Sequence, residues 1–153
     1  MPLMYITLTP GAFDAAGKTR LASALTEAAL RAESVPDLPG PRSRGLVLMQ
    51  ELPQGQFYSA GEPADALMRG VFITLYVSTG VLDGTRKASL ATDVQAAAEA
   101  AASDKTRPVI TSAVIIEVPE GQWAQLGKIR RLPEIAALAQ FQHLAAIAAG
   151  ERQ

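Results

Sequence analysis

The segment Glu51-Leu-Pro-Gln-Gly-Gln-Phe-Tyr-Ser-Ala-Gly61 returns 66 residues later as Glu117-Val-Pro-Glu-Gly-Gln-Trp-Ala-Gln-Leu-Gly127, with five positions identical and a sixth aromatic in both. Ile6-Thr7-Leu8 likewise returns as Ile73-Thr74-Leu75, at an offset of 67. One insertion in a connecting loop reconciles the two offsets, so the chain reads as two copies of a single unit. Whatever the first half forms, the second half must form too.

The periodicity says what that unit is. Near the start, Tyr5, Thr7 and Thr9 alternate with Met4, Ile6 and Leu8, which is the period of a β-strand. Asp14 is a good helix N-cap, and from it to about residue 33 the apolar positions Leu21, Ala24, Leu25, Ala28 and Ala29 recur at helical spacing. Residues 35–43 hold Pro36, Pro39, Gly40 and Pro41, a loop, and 46–50 is a short apolar run suited to a buried parallel strand. The second half repeats this with a strand at 71–77, a helix at 85–102 carrying Leu90, Val94, Ala97, Ala98 and Ala101, and a strand at 109–118. A third helix is predicted at 133–149, with Ile135, Leu138, Phe141, Leu144, Ala145 and Ile147 along one stripe.

The predicted fold is therefore α/β. Two tandem βαβ units form a mainly four-stranded sheet with two helices on one face, plus a C-terminal helix. At 153 residues this is one domain, with pseudo-repeats 2–62 and 69–128 and a helical extension at 132–150. Two helices cover only one face of the sheet, so the opposite, apolar face calls for a closed oligomer that packs such faces together.

Composition narrows the chemistry. A net charge of −1 offers no footprint for nucleic acid. There is no cysteine, and the single histidine, His143, lies in an alanine-rich stretch, so thiol chemistry is absent and neither a metal centre nor a Ser-His-Asp triad is expected. No apolar run approaches a membrane span, and the start lacks the basic flank and cleavage site of a signal peptide; a cytoplasmic location is expected. What remains is Pro2. Removal of Met1 would leave it a secondary amine with a free lone pair, and an apolar pocket would lower that amine's pKa toward neutrality, as a general base requires.

A βαβ unit of this length, a proline after Met1, and a Glu-x-x-x-Gly-x-aromatic-x-x-x-Gly segment after the second strand resemble the tautomerase superfamily. The duplicated length with its extension most resembles the fused branch that includes the cis-3-chloroacrylic acid dehalogenase group. The resemblance spans essentially residues 2–130. It implies a homotrimer of fused units, no cofactor, a small-molecule substrate, and Pro2 at the floor of a pocket near a subunit interface. Phe57 matches the pocket aromatic of the single-unit members, and Trp123 is its counterpart in the second unit. Arg69 stands where the second unit's own terminal proline would be, so only one copy per chain carries that amine.

There are departures from the pattern. Where the relatives place carboxylate-gripping arginines, this sequence has Ala12 and Leu46, with Thr79 and Ser112 in the second copy, and Gln125 replaces the dehalogenases' carboxylate. Dehalogenation or hydration is therefore disfavoured, and keto-enol isomerisation is the expected chemistry. Substrate binding falls to substitutes, Arg44 and Arg69 foremost and then Arg42.

Two other classes of function are also open. A trimer that keeps the architecture without the chemistry would be a binding or scaffold protein. The run from Ala12 to Thr19, with Gly17-Lys18-Thr19, also fits a relaxed phosphate-loop pattern, although its first glycine is replaced and bulky Phe13 occupies the loop.

Overall fold

The computed structural model describes residues 2–103 and 105–145. In chain order, the first unit comprises strand β1 (Leu3–Leu8), helix α1 (Ala15–Ala32), a single helical turn α2 (Pro39–Arg42), strand β2 (Leu46–Glu51) and a hairpin of β3 (Tyr58–Ser59) and β4 (Glu62–Pro63). The second comprises β5 (Arg69–Ser78), α3 (Gly84–Ala101), β6 (Val109–Val118) and a hairpin of β7 (Trp123–Gln125) and β8 (Lys128–Arg130); α4 (Leu132–Ala139) and a 3-10 turn (Gln142–Leu144) follow.

The main sheet has the order β2-β1-β5-β6. Each βαβ unit supplies a parallel pair, β1 with β2 and β5 with β6, and the two units meet through the antiparallel pair β1 and β5. The predicted architecture is the observed one.

Both helices lie on the same face because each carries the same buried stripe. Leu21, Leu25, Ala28, Ala29 and Ala32 in α1 correspond, 69 residues on, to Leu90, Val94, Ala97, Ala98 and Ala101 in α3. These residues pack on Met4, Ile6 and Leu8 of β1 and on Val71, Ile73, Leu75 and Val77 of β5 to form the core. The alanines let the two helices approach closely, and burial of apolar area at roughly 25 cal/mol per Å² supplies most of the driving force. Both helices start on an aspartate cap, Asp14 accepting from the Gly17 N–H and Asp83 from the Arg86 N–H.

The repeated hairpins are set by backbone geometry. Ala60 and Gly61 both have positive φ, as do Leu126 and Gly127, the signature of a two-residue hairpin turn whose twist matches its strands. This explains why the last glycine of the motif occurs in both copies.

Three local expectations are corrected. Within the predicted loop at 35–43, Pro39 opens the one-turn helix α2, because proline is suited to a first helical turn. Strand β2 is parallel as predicted but lies at the sheet edge, with Leu46 52% and Leu48 47% exposed, so it is not a buried strand. The predicted C-terminal helix ends at Ala139. Gln140 turns left-handed (φ 55°), its N–H still bonded to the Ala136 carbonyl, and this turns Phe141 back into the core at 1% exposure. The predicted continuation from 146 to 149 lies outside the described residues.

The sheet face away from the helices is apolar and open. Tyr5, Leu46, Leu48, Ile110, Val114 and Ile116 are its exposed large side chains. Among the described residues no helix is long and apolar enough to cross a membrane.

Candidate active site

The antiparallel β1 and β5 pair puts the starts of the two units at opposite ends of the sheet. Pro2, just before β1, is buried; its carbonyl accepts the Leu46 N–H at 3.0 Å. In register, β1 begins beside the last residues of β5, with Leu3 opposite Tyr76, and β6 ends there too. The second unit's hairpin therefore rises over the start of the first unit. Leu3, Tyr76, Val118, Gln122, Trp123 and Ala124 line a cleft of about 190 Å³ there. A groove beside it runs between Trp123, Glu120, Arg130 and Leu132.

Of the residues expected beside Pro2, two lie at this end. Trp123 walls the cleft. Arg44 stands two residues before Leu46, the residue that holds the Pro2 carbonyl, and its Nε is buried without a hydrogen bond among the described residues. The others lie at the far end. Phe57 is 8% exposed and packs on Phe72, ring centroids 5.7 Å apart. Arg69 opens β5, is 1% exposed, and its backbone N–H donates to the Pro108 carbonyl at 2.9 Å. Burial, and then the neighbouring charge of Arg107, lower the pKa of the Arg69 guanidinium. Each hairpin thus reaches the start of the opposite unit, and within one chain neither Phe57 nor Arg69 lies at Pro2.

The sequence reading missed several charged residues. Glu33, the C-cap of α1, is 1% exposed. Burial raises its pKa. A signal existed, since Glu33 falls four residues after Ala29 and eight after Leu25, on the stripe that faces the core. Arg130 lines the groove beside its cross-strand partner Trp123, with Nε buried and without a hydrogen bond among the described residues. The motif's glutamates have a structural role. Glu51 binds Lys18 and accepts the Gly11 N–H at 2.7 Å, and these hydrogen bonds, Lys18 first, hold its pKa below the usual carboxylate value. Glu117 meets Lys87 in the same way at 3.2 Å.

The phosphate-loop residues are similarly engaged. Asp14 takes the Gly17 N–H at 2.6 Å, placing a carboxylate where a phosphate would sit. A Cβ on Gly17 would come within 3.0 Å of the Ala101 carbonyl, so this glycine serves the contact between α1 and α3. Lys18 is turned to Glu51, and the Thr19 hydroxyl donates to the Ala15 carbonyl.

No protein-family model matches the sequence, and no curated protein matches it. Solved structures match its fold. A fused 4-OT, described as a symmetric trimer, is 21% identical with a TM-score of 0.65 over 88% of this chain and 98% of its own. A member of the cis-3-chloroacrylic acid dehalogenase family is 15% identical with a TM-score of 0.63 over 82% of each chain. A probable enzyme from the thermophilic fungus Aspergillus fumigatus is 17% identical with a TM-score of 0.66 over all of this chain and 96% of its own. The topology that the repeat predicted is thus the fold of these fused 4-OT and cis-3-chloroacrylic acid dehalogenase family structures, with two βαβ units on one polypeptide.

Proposed function

We propose that this protein is a tautomerase-like enzyme in which Pro2, exposed as a secondary amine by loss of Met1, acts as general base and then general acid on a small carbonyl or enol compound. The observation that carries this reading is the position of Pro2, buried at the head of β1 next to Leu3, which lines the cleft walled by Trp123. A neutral amine there takes a proton from a carbon or enol oxygen next to a carbonyl and returns it at another carbon. The negative charge that develops on the carbonyl oxygen needs a cationic partner, and Arg44 and Arg130 are the groups assigned to that role. Neither step calls for a metal or an organic cofactor.

The assembly we propose is a homotrimer. The open face bears Tyr5, Leu48 and Val114, which in a lone chain would remain in water, and fused 4-OT structures with this fold are described as trimers. In such an assembly a neighbouring chain's Phe57 is the further candidate for the wall of the pocket. We take residues 2–62 and 69–128 as the two units of one domain, with 132–150 as an extension.

Pro2→Ala is the test. It should lower turnover of phenylpyruvate or a 2-hydroxymuconate-type enol by about 10²- to 10⁴-fold, the usual share of a general acid-base group, with the melting temperature unchanged. An unaltered rate ends the proposal. The intact mass of the natively expressed chain adds a second check. A mass lacking methionine agrees with the enzyme, whereas a chain that quantitatively keeps Met1 has an acylated, inert Pro2 and is left with the scaffold role.

A further inference from the structure

Resting on the reading of Pro2 as the base, we propose that the Tyr76 hydroxyl is the hydrogen-bond donor that meets the substrate's carbonyl oxygen in the cleft. In the step, Pro2 takes the proton from the carbon beside the carbonyl, and the electron pair of that C–H bond moves toward the oxygen as the enolate forms. The Tyr76 O–H bond stays intact, and its hydrogen bond shortens as the oxygen gains charge. The pair returns to carbon when the Pro2 ammonium gives its proton back.

Three observations carry this. The first is position. Tyr76 lies directly opposite Leu3 in the antiparallel ladder, so the two side chains share the sheet face away from the helices, and both line the cleft. Leu3 follows Pro2 in the chain, which makes Tyr76 the cross-strand neighbour of the residue next to the amine. The Tyr76 ring is held by its diagonal neighbour Tyr5, edge to face, with centroids 6.0 Å apart and planes at 81°. A donor fixed on an inner strand of the sheet is already in place when charge develops, and this is what makes such a group effective.

The second is the lining of the cleft. Of its six residues, Tyr76, Gln122 and Trp123 are those whose side chains can donate a hydrogen bond. Gln122 is exposed on the hairpin, and Trp123 packs against the core. The Tyr76 hydroxyl makes no hydrogen bond to a described residue and is free to take a ligand. Arg130 lines the adjoining groove, not the cleft itself, so its charge acts on the oxygen from farther off than the phenol.

The third is the internal control. At the offset of 67 that relates the two halves, Tyr76 corresponds to Thr9, Leu3 to Gly70 and Tyr5 to Phe72. Thr9 is 1% exposed, and its hydroxyl accepts the Gly70 N–H at 2.9 Å. The space over Gly70 is taken by Phe72, since a Cβ there would come within 2.5 Å of that ring. At the Arg69 end of the sheet, then, the corresponding hydroxyl is used by the backbone and the corresponding place is filled. The end that begins with Pro2 has kept both the opening and the donor.

Tyr76→Phe keeps the ring and its contact with Tyr5 and removes only the donor. It should lower kcat on phenylpyruvate or a 2-hydroxymuconate-type enol on the order of 10²-fold, with KM and the melting temperature nearly unchanged. A second measurement needs no turnover. In protein labelled with ¹³Cζ-tyrosine, one of three tyrosine resonances belongs to Tyr76, assigned by elimination against Tyr5→Phe and Tyr58→Phe. Phenylpyruvate in excess should move that resonance toward the phenolate position as the O–H bond polarises. A kcat in folded Tyr76→Phe equal to that of the parent protein overturns the inference, and so does a Tyr76 resonance that phenylpyruvate leaves in place. If Tyr76→Phe does not fold, the resonance alone decides. The Pro2 reading fails separately, through an active Pro2→Ala enzyme, because the resonance is read without proton transfer at Pro2.

Discussion

The two halves of this molecule agree in one set of residues and differ in another. Both have an 18-residue helix on an aspartate cap, five buried positions in the same register, a lysine on the helix bound to a glutamate within the last two residues of a strand, and a hairpin turn with two positive-φ residues. They differ at the head of the central strand and at the helix C-cap, with Pro2 and Glu33 in one half and Arg69 and Ala102 in the other. What recurs is what the fold requires of any unit. What does not recur marks where the halves have been free to specialise, and both differences in the first half lie at the end of the sheet that holds the cleft.

Paired substitutions put this comparison under strain. The largest effect on stability should come from the shared core. Leu21→Ala and Leu90→Ala, at 0% and 3% exposure, should each cost about 2–5 kcal/mol in denaturant unfolding, and a much smaller loss from either would mean that the halves are not equivalent supports. Next come the caps. Asp14→Ala and Asp83→Ala should each cost about 1 kcal/mol, and a far larger loss of activity than of stability from Asp14→Ala would point to a role beyond capping. The smallest effect belongs to the ion pairs. A double-mutant cycle on Lys18 and Glu51 should give about 0.2–1 kcal/mol, since both side chains are about a third exposed. Its pH dependence has a definite sign. The Glu51 pKa is lowered in the folded state, so the contribution is present above the unfolded value near 4.5 and fades as pH falls through the folded one.

Much of this was readable in the sequence because it is periodic. Leu21, Leu25 and Ala28 announce a helix, Gly61 and Gly127 a turn, and the repeat announces that the fold is doubled. The position of each hairpin was not readable, because sequence proximity suggests that Phe57 serves the first unit. The antiparallel pairing of β1 with β5 instead carries Phe57 to the second unit's start and Trp123 to the first's. The end of α4 was hidden for a similar reason. Phe141 continues the helical stripe, and only the packing of that ring into the core shows why the backbone turns at Gln140. Glu33 went unnoticed because one charged residue on an apolar stripe looks like a break in the pattern when nothing shows what faces it.

The central ladder has a further consequence for how the molecule is made. Leu8 pairs with Val71 and Leu3 with Tyr76, partners that leave the ribosome more than sixty residues apart, so the first unit is synthesised with one edge of its innermost strand bare. Such an edge is the natural docking site for another nascent copy. Covalent tethering of the second unit raises the local concentration of the correct partner well above that of any stray chain, and in this way the fusion guards against mispairing during biosynthesis.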